Sequence, residues 1–302
     1  MKNMTHKELP EGIRYIEKTD DEFPEKLLEL SDCPKGIYVR GELPDPKKKT
    51  VAIVGARMCS SYGRAAASYF AKVLSANHVQ IISGMALGID GAAHEGALSS
   101  GGKTFGVLAC GVDICYPRGN IELYEKIRRQ GGILSEEACG CPPLRGLFPK
   151  RNRIISALSD LVLVVEARHK SGSLITADFA AEQGRELYAV PGRLEDELSR
   201  GCNELIFQGA GIALSPESLL EIMGNCVEKS DNFAAEAENV LAEEENIVYS
   251  CLSLQPKSLE ELSKDTGFSI LVTTELVTLL QLRGMVKEIG RNRYIRAIDK
   301  IT

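Results

Sequence analysis

Between Arg145 and Lys170 the chain gathers six lysine or arginine residues against two acids, Asp160 and Glu166. Lys150, Arg151 and Arg153 come together in FPKRNR (148–153), just ahead of the apolar run Leu161 to Val165. After that run, His169-Lys170-Ser171-Gly172-Ser173 opens into an amphipathic stretch. A short apolar strand, a small-residue turn and a helix leave backbone N–H groups and a positive dipole end facing outward, which is an anion-binding arrangement. Arginines on the same rim add two-point recognition of phosphate. The chemistry these residues can do is to hold a polyanion. With a net charge of −6 over 302 residues, no global basic field draws nucleic acid in, so any such binding rests on this local patch.

Three more strand ends carry the same signature: Gly55-Ala56-Arg57, Ser83-Gly84-Met85 and Ala109-Cys110-Gly111. Small residues there let a ligand approach the backbone closely. Four such loops in register, with Arg57, Lys150, Arg151, Arg153 and Lys170, predict a phosphate-binding crest at the carboxyl ends of parallel strands. No dinucleotide or P-loop fingerprint is complete, which counts against hydride transfer and nucleotide hydrolysis. Asp90 and His94 stand four apart in GIDGAAHEGAL. They read as an i,i+4 hydrogen bond under the Ser83-Gly84 loop rather than as a catalytic or metal pair, because no third ligand or nucleophile has matching spacing. Nine cysteines include no C-x-x-C and no metal-type spacing, so neither a metal nor a cofactor is expected. An odd cysteine count and an N-terminus without an apolar core segment predict reduced thiols and a cytoplasmic protein without membrane spans.

The elements that must position these residues alternate along the chain. Residues 1–48 read as an irregular lead-in with one short edge strand, GIYVRGEL (36–43). From 49 to 223, strands at 50–55, 79–83, 104–110, 133–136, 161–167 and 186–192 alternate with helices at 62–77, 88–99, 120–130, 151–159, 173–183, 203–208 and 215–223. That alternation predicts an α/β, Rossmann-like, doubly wound and mostly parallel sheet. Residues 224–244 read as an acidic linker: the stretch 224–245 holds seven acids and one lysine. Residues 245–302 read as three helices (245–253, 258–265, 269–283) and a two-stranded turn around Gly290, the pattern of a small winged-helix domain.

VAIVGAR, ISGMALGIDGAAHEGAL, YPRGNIELYEKI, FPKRNRIISALS, VVEARHKSGSLITADFAAEQGRELYAVPG and SRGCNELIFQGA occur in this order. In that ordered set the chain resembles the DNA-processing protein A (DprA/Smf) family, from about residue 15 to 223. The resemblance implies an extended Rossmann-like domain that dimerises. It also implies binding of single-stranded DNA and loading of RecA recombinase during natural transformation, with no catalysis. Carried over by motif, Arg57, Phe148, Lys150, Arg151, Asn152, Arg153 and Lys170 would contact the strand. Gly55, Ser83, Gly84, Gly111, Ser171, Gly172 and Ser173 would line its phosphates. Two departures stand out: Leu87 occupies a position where members often carry Arg, and the helical domain that many members carry ahead of the sheet is not expected here.

Phe148 stacks on a base in this reading, or else is a core residue. Leu205, Ile206 and Ile212 are candidates for the dimer face, or plain core positions. The winged helix offers either phosphate contacts from Lys287, Arg291, Arg293 and Arg296 or a protein surface on its third helix, which has no basic residue before Arg283. Two competing functions use the same sheet: a nucleotide phosphoribohydrolase, whose P-G-G-x-G-T loop is replaced here by KSGSLITAD, and a non-catalytic nucleotide sensor.

Overall fold

A computed structural model of the chain describes residues 9–224 and 243–297. The chain divides into two units between residues 227 and 228. Most of the expected linker, 225–242, lies outside the described residues.

The first unit is built on nine strands: β1 (Ile13–Glu17), β2 (Gly36–Gly41), β3 (Thr50–Val54), β4 (Gln80–Ser83), β5 (Thr104–Val107), β6 (Gly132–Ser135), β7 (Leu161–Val164), β8 (Glu186–Ala189) and β9 (Gly211–Ile212). Their order across the sheet is β1-β2-β6-β5-β4-β3-β7-β8-β9. All pairs from β6 to β9 are parallel, while β1–β2 and β2–β6 are antiparallel. Parallel strands are covered on both faces, and TVAIV and LVLV are correspondingly buried at every position. Successive side chains then serve opposite layers. Ala52, Val54, Val162 and Val164 join one core with α1 (Glu25–Leu28), α5 (Leu147–Ala157), α6 (Gly172–Glu182) and α7 (Glu197–Phe207). Val51, Ile53, Leu161 and Leu163 join the other with α2 (Ser61–Ala76), α3 (Ile89–Ser99) and α8 (Pro216–Ile222). The remaining helix, α4 (Ile121–Gln130), packs Leu123, Tyr124 and Ile127 against Met85 and Ile133.

The chain works outward from β3 to β6 and then returns to lay β7 beside β3. This reversal is the Rossmann-like feature that matters for function. Helices leave the two adjoining strands in opposite directions, and a crevice opens at their carboxyl ends.

The lead-in is more ordered than its sequence pattern predicts. β2 is an interior strand, and the edge belongs to β1. Only Ile13 and Ile16 are buried in IRYIE, a spacing of three that hides the period-two signal of a strand. Helix α5 begins at Leu147, earlier than predicted, because Pro149 falls in its first turn, where its missing N–H costs nothing. Helix α7 likewise begins at Glu197, with the Asp196 side chain accepting from the Leu198 amide at 3.0 Å. The two-residue β9 carries too little pattern to be read from sequence.

In the second unit, α9 (Glu243–Cys251), α10 (Leu259–Thr266) and α11 (Ile270–Leu282) surround a core of Val248, Leu252, Leu262, Leu276, Val277, Leu280, Val286 and Tyr294. A three-stranded antiparallel sheet, ordered β10 (Lys257–Ser258), β12 (Arg293–Arg296), β11 (Val286–Glu288), completes it.

Asp90 and His94 do not use each other as their hydrogen-bond partners. His94 is fully buried, and its Nδ1 lies 2.7 Å from Thr104 Oγ1, tying α3 to β5. Burial, reinforced by the Arg151 charge, pushes its pKa from 6.5 down to about 3. Below pH 6.5 the unfolded chain takes up a proton that the folded one refuses, so His94 removes stability as pH falls towards 3. By pH 5 the loss is about 2 kcal/mol. Urea unfolding at pH 7 and pH 5 should therefore show a stability difference that shrinks by about this amount in His94→Asn.

Candidate nucleic-acid interface

A cleft of about 820 Å³ opens at the carboxyl ends of β3 and β7, where the strand order reverses. One wall is the turn after β3, with Gly55, Ala56, Arg57 and Met58; the other is the loop after β7 and the start of α6, with Arg168, Ser171, Gly172 and Ser173. Arg145, just ahead of α5, and Phe148, Pro149, Arg151 and Asn152 in its first turns complete the lining. A smaller recess beside it is lined by Arg57, Gly84, Leu87, Tyr116 and Phe148.

The turn carrying Arg57 is held from several sides. The Ala56 amide donates to Glu166 O at 2.7 Å, and Ala56 O accepts from the Ile89 amide at 3.2 Å. Gly88, at φ +81°, faces the same turn; a Cβ there would overlap the carbonyls of Ala56 and Arg57. Only glycine combines that conformation with that closeness. The exposed Arg57 guanidinium lies over the Phe148 ring, 5.2 Å from its centroid, and Tyr116 sits on the ring's other neighbour position at 5.8 Å. Phe148 is half-buried and belongs to none of the hydrophobic cores of the described residues; its ring lines the cleft and the smaller recess.

Helix α6 starts at the opposite wall. The side chain of its N-cap, Ser171, accepts from no first-turn amide and instead meets the Ser173 hydroxyl at 2.5 Å. First-turn amides without such a cap present donors to whatever occupies the cleft. Asn152 Nδ2 donates to Gly172 O at 3.2 Å and fixes this helix start against α5.

Arg151 lies beneath the cleft rather than on its rim, and is only 6% exposed. Its Nη1 donates to Gly84 O at 2.7 Å and to Val107 O, joining the ends of β4 and β5 to α5. Asp90 is its charge partner: Arg151 opposes the upward push of burial on the carboxyl, and Asp90 opposes the downward push on the guanidinium. Burial wins in both directions, with Arg151 lowered to about 10, still charged at neutral pH.

Several predicted contacts are placed elsewhere. Arg153 is 3% exposed and spent on Asp32 at 2.5 Å and Glu136 at 2.8 Å, so it does not reach the cleft. Lys150 points to Glu136 and Glu137, 3.2 and 3.4 Å away. Lys170 lines a separate recess beside α7, with His169, Asp178 and Glu204. The buried Ser83 hydroxyl donates to Ile53 O at 2.6 Å. The Gly111 amide donates to Cys141 O at 2.9 Å. The run of cations therefore splits in space: Lys150 and Arg153, three apart on α5, share Glu136, while Arg151 between them turns beneath the cleft. Arg145 and Arg168 belong to the cationic stretch but not to the predicted contacts, and Tyr116 is not among those contacts either; its signal in the sequence is the block YPRGNIELYEKI.

Residues 14–224 match the family model described as DNA recombination-mediator protein A. The DNA processing protein DprA of Streptococcus pneumoniae is 43% identical over 201 residues, covering 67% of this chain and 71% of that protein. Protein Smf of Escherichia coli K12 is 45% identical over 215 residues, covering 70% of this chain and 58% of that protein. Among solved structures, DNA processing protein A of S. pneumoniae superposes with a TM-score of 0.66 at 40% identity, covering 70% of this chain and 74% of that one. DNA processing protein A of Helicobacter pylori, described for its single-stranded DNA binding mode, gives 0.63 at 33% identity, covering 70% and 95%.

Replacing Arg151 by methionine should strand the Asp90 carboxyl and unpair two carbonyls, lowering stability by about 3 kcal/mol in urea unfolding.

Proposed function

Because the chain belongs to the DNA recombination-mediator protein A family, we propose that its cleft grips single-stranded DNA without regard to sequence. The observation that carries this reading is the arrangement of Arg57, Arg145 and Arg168 and the aromatic pair Phe148 and Tyr116 around the uncapped start of α6. Guanidinium groups and helix amides suit phosphates, and flat rings suit unpaired bases of any kind. Double-stranded DNA keeps its bases stacked inside and offers these rings nothing to hold.

Holding, not turnover, is the chemistry favoured. Among the described residues Asp90 is the single carboxylate lining the cleft, and it is committed to Arg151 and to the Ala86 amide at 3.3 Å. The protein acts in the cytoplasm on DNA entering during natural transformation and hands the strand to RecA recombinase. Of the predicted contacts, Arg57, Phe148 and Asn152 remain strand contacts, with Ser171, Gly172 and Ser173 around the phosphate. Lys150 joins them if the strand displaces it from its two glutamates. Arg151 acts as the charged floor, and Arg153 stays with Asp32 and Glu136, away from the strand.

The protein works as a homodimer joined along the β9 edge. Leu205 is a core residue, 7% exposed, whereas Phe207, Ile212 and Leu214 are 92%, 47% and 78% exposed within eight residues of chain. A free sheet edge flanked by apolar side chains is an association surface. The second unit is a winged helix whose third helix meets a protein. Leu271 and Leu282 on α11 are each 80% exposed, while Arg293 and Arg296 on the hairpin already bond Pro256 O and Tyr249 O.

In fluorescence anisotropy with oligo-dT, Arg57→Ala and Phe148→Ala should each weaken binding roughly 5- to 150-fold and leave the melting temperature unchanged. The slope of log affinity against log salt should fall by about 0.7 in Arg57→Ala alone. Unchanged affinity in both variants would remove the cleft from the reading. For the dimer, sedimentation should show wild-type dimers and monomeric Phe207→Glu/Leu214→Glu.

A further inference from the structure

Glu166 follows β7, is 3% exposed, and is paired with no cation among the described residues. A buried carboxylate without a counter-charge is costly unless hydrogen bonds replace its water. Here the replacements all come from one place. The Ser60 hydroxyl donates to Oε1 at 2.5 Å, and the Ser60 amide donates to Oε2 at 2.9 Å. Ser60 Oγ in turn accepts from the Gly63 amide at 2.9 Å, as the N-cap of α2. The carboxylate thus sits on the positive end of α2 through the capping serine. It lies so close to the first turn that a Cβ at Gly63 would overlap it.

The same residue holds the chain four positions earlier. Glu166 O accepts from the Ala56 amide at 2.7 Å. Its backbone therefore fixes residue 56 and its side chain fixes residue 60, with Arg57 between them. We infer that Glu166 is the positioning residue for Arg57: by clamping both ends of the 56–60 turn it holds the guanidinium over Phe148 and facing α6. It also ties the two walls of the cleft together, because Arg168, Ser171 and Gly172 follow directly on its own strand. Glu166 touches no ligand itself. Its effect on binding passes through Arg57, and the inference rests on the reading of Arg57 as a strand contact.

Glu166→Gln keeps the volume and the backbone bond but turns an N–H towards one of the two Ser60 donors. Oligo-dT affinity is measured for wild type, Arg57→Ala, Glu166→Gln and the double variant, below their melting temperatures. Glu166→Gln alone should weaken binding about tenfold and lower the salt slope as Arg57→Ala does. In the double variant the second change should add little, since the residue it positions is gone. Losses that multiply in full, or a salt slope left at the wild-type value, overturn the inference. Ser60→Ala examines the same contact from the half-exposed side and keeps the test intact if Glu166→Gln does not fold; it should weaken binding in the same sense, and wild-type affinity there also overturns the inference. If Arg57→Ala itself binds normally, the strand-contact reading fails and this inference falls with it. Loss of affinity in Arg57→Ala with wild-type affinity in Glu166→Gln removes the inference alone.

Discussion

A guanidinium taken out of water must find acceptors for its donors and a charge to answer its own, and Arg151 finds both at one point. Its Nη1 reaches carbonyls at the ends of two neighbouring strands, and Asp90 supplies the opposing charge from the start of α3. Three elements that converge on the crevice, β4, β5 and α3, are thereby referred to a fourth, α5. Gly84 exists as glycine because a Cβ would stand 2.7 Å from the guanidinium and 2.8 Å from Asp90 Oδ2. The loops that line the cleft can be small and backbone-rich because this contact, rather than their own side chains, fixes where they lie.

Within that frame the cleft draws on both halves of a doubly wound sheet. The β3 side contributes a clamped turn with one long cation; the β7 side contributes a helix start with its amides unclaimed by a side chain. Neither half alone offers both a charge and an array of donors. The arrangement depends on the strand order reversing between them, which is a property of topology and not of any residue.

The alternation of buried strands and helices was legible because fully covered strands carry unbroken apolar runs such as VAIV (51–54) and LVLV (161–164). The site was legible as a region but not as a set of side chains. Arg57 and the Ser171–Ser173 loop are announced by the turns they occupy, since a strand end followed by small residues has one geometric meaning. FPKRNR gave no such guidance. A helix turns 100° per residue, so Lys150 and Arg153 come round to the same Glu136 while Arg151, between them, turns to the buried floor. Tyr116 and Glu166 were passed over for a related reason. One lies in an irregular segment, and the other reads as the end of an apolar strand; each acquires its role only through partners more than thirty residues away.

The −6 charge of the chain does not lie around the cleft: residues 1–223 hold 29 acidic residues against 27 lysines and arginines, so outside the crevice they offer a polyanion no net positive surface. A strand held by the cationic crevice therefore finds no broad basic surface to follow where it leaves it, and charges farther off than about 8 Å are screened. Its flanks are left to solvent instead of being drawn around the molecule. The captured strand projects on both sides as naked, extended polymer, open to whatever protein next assembles along it.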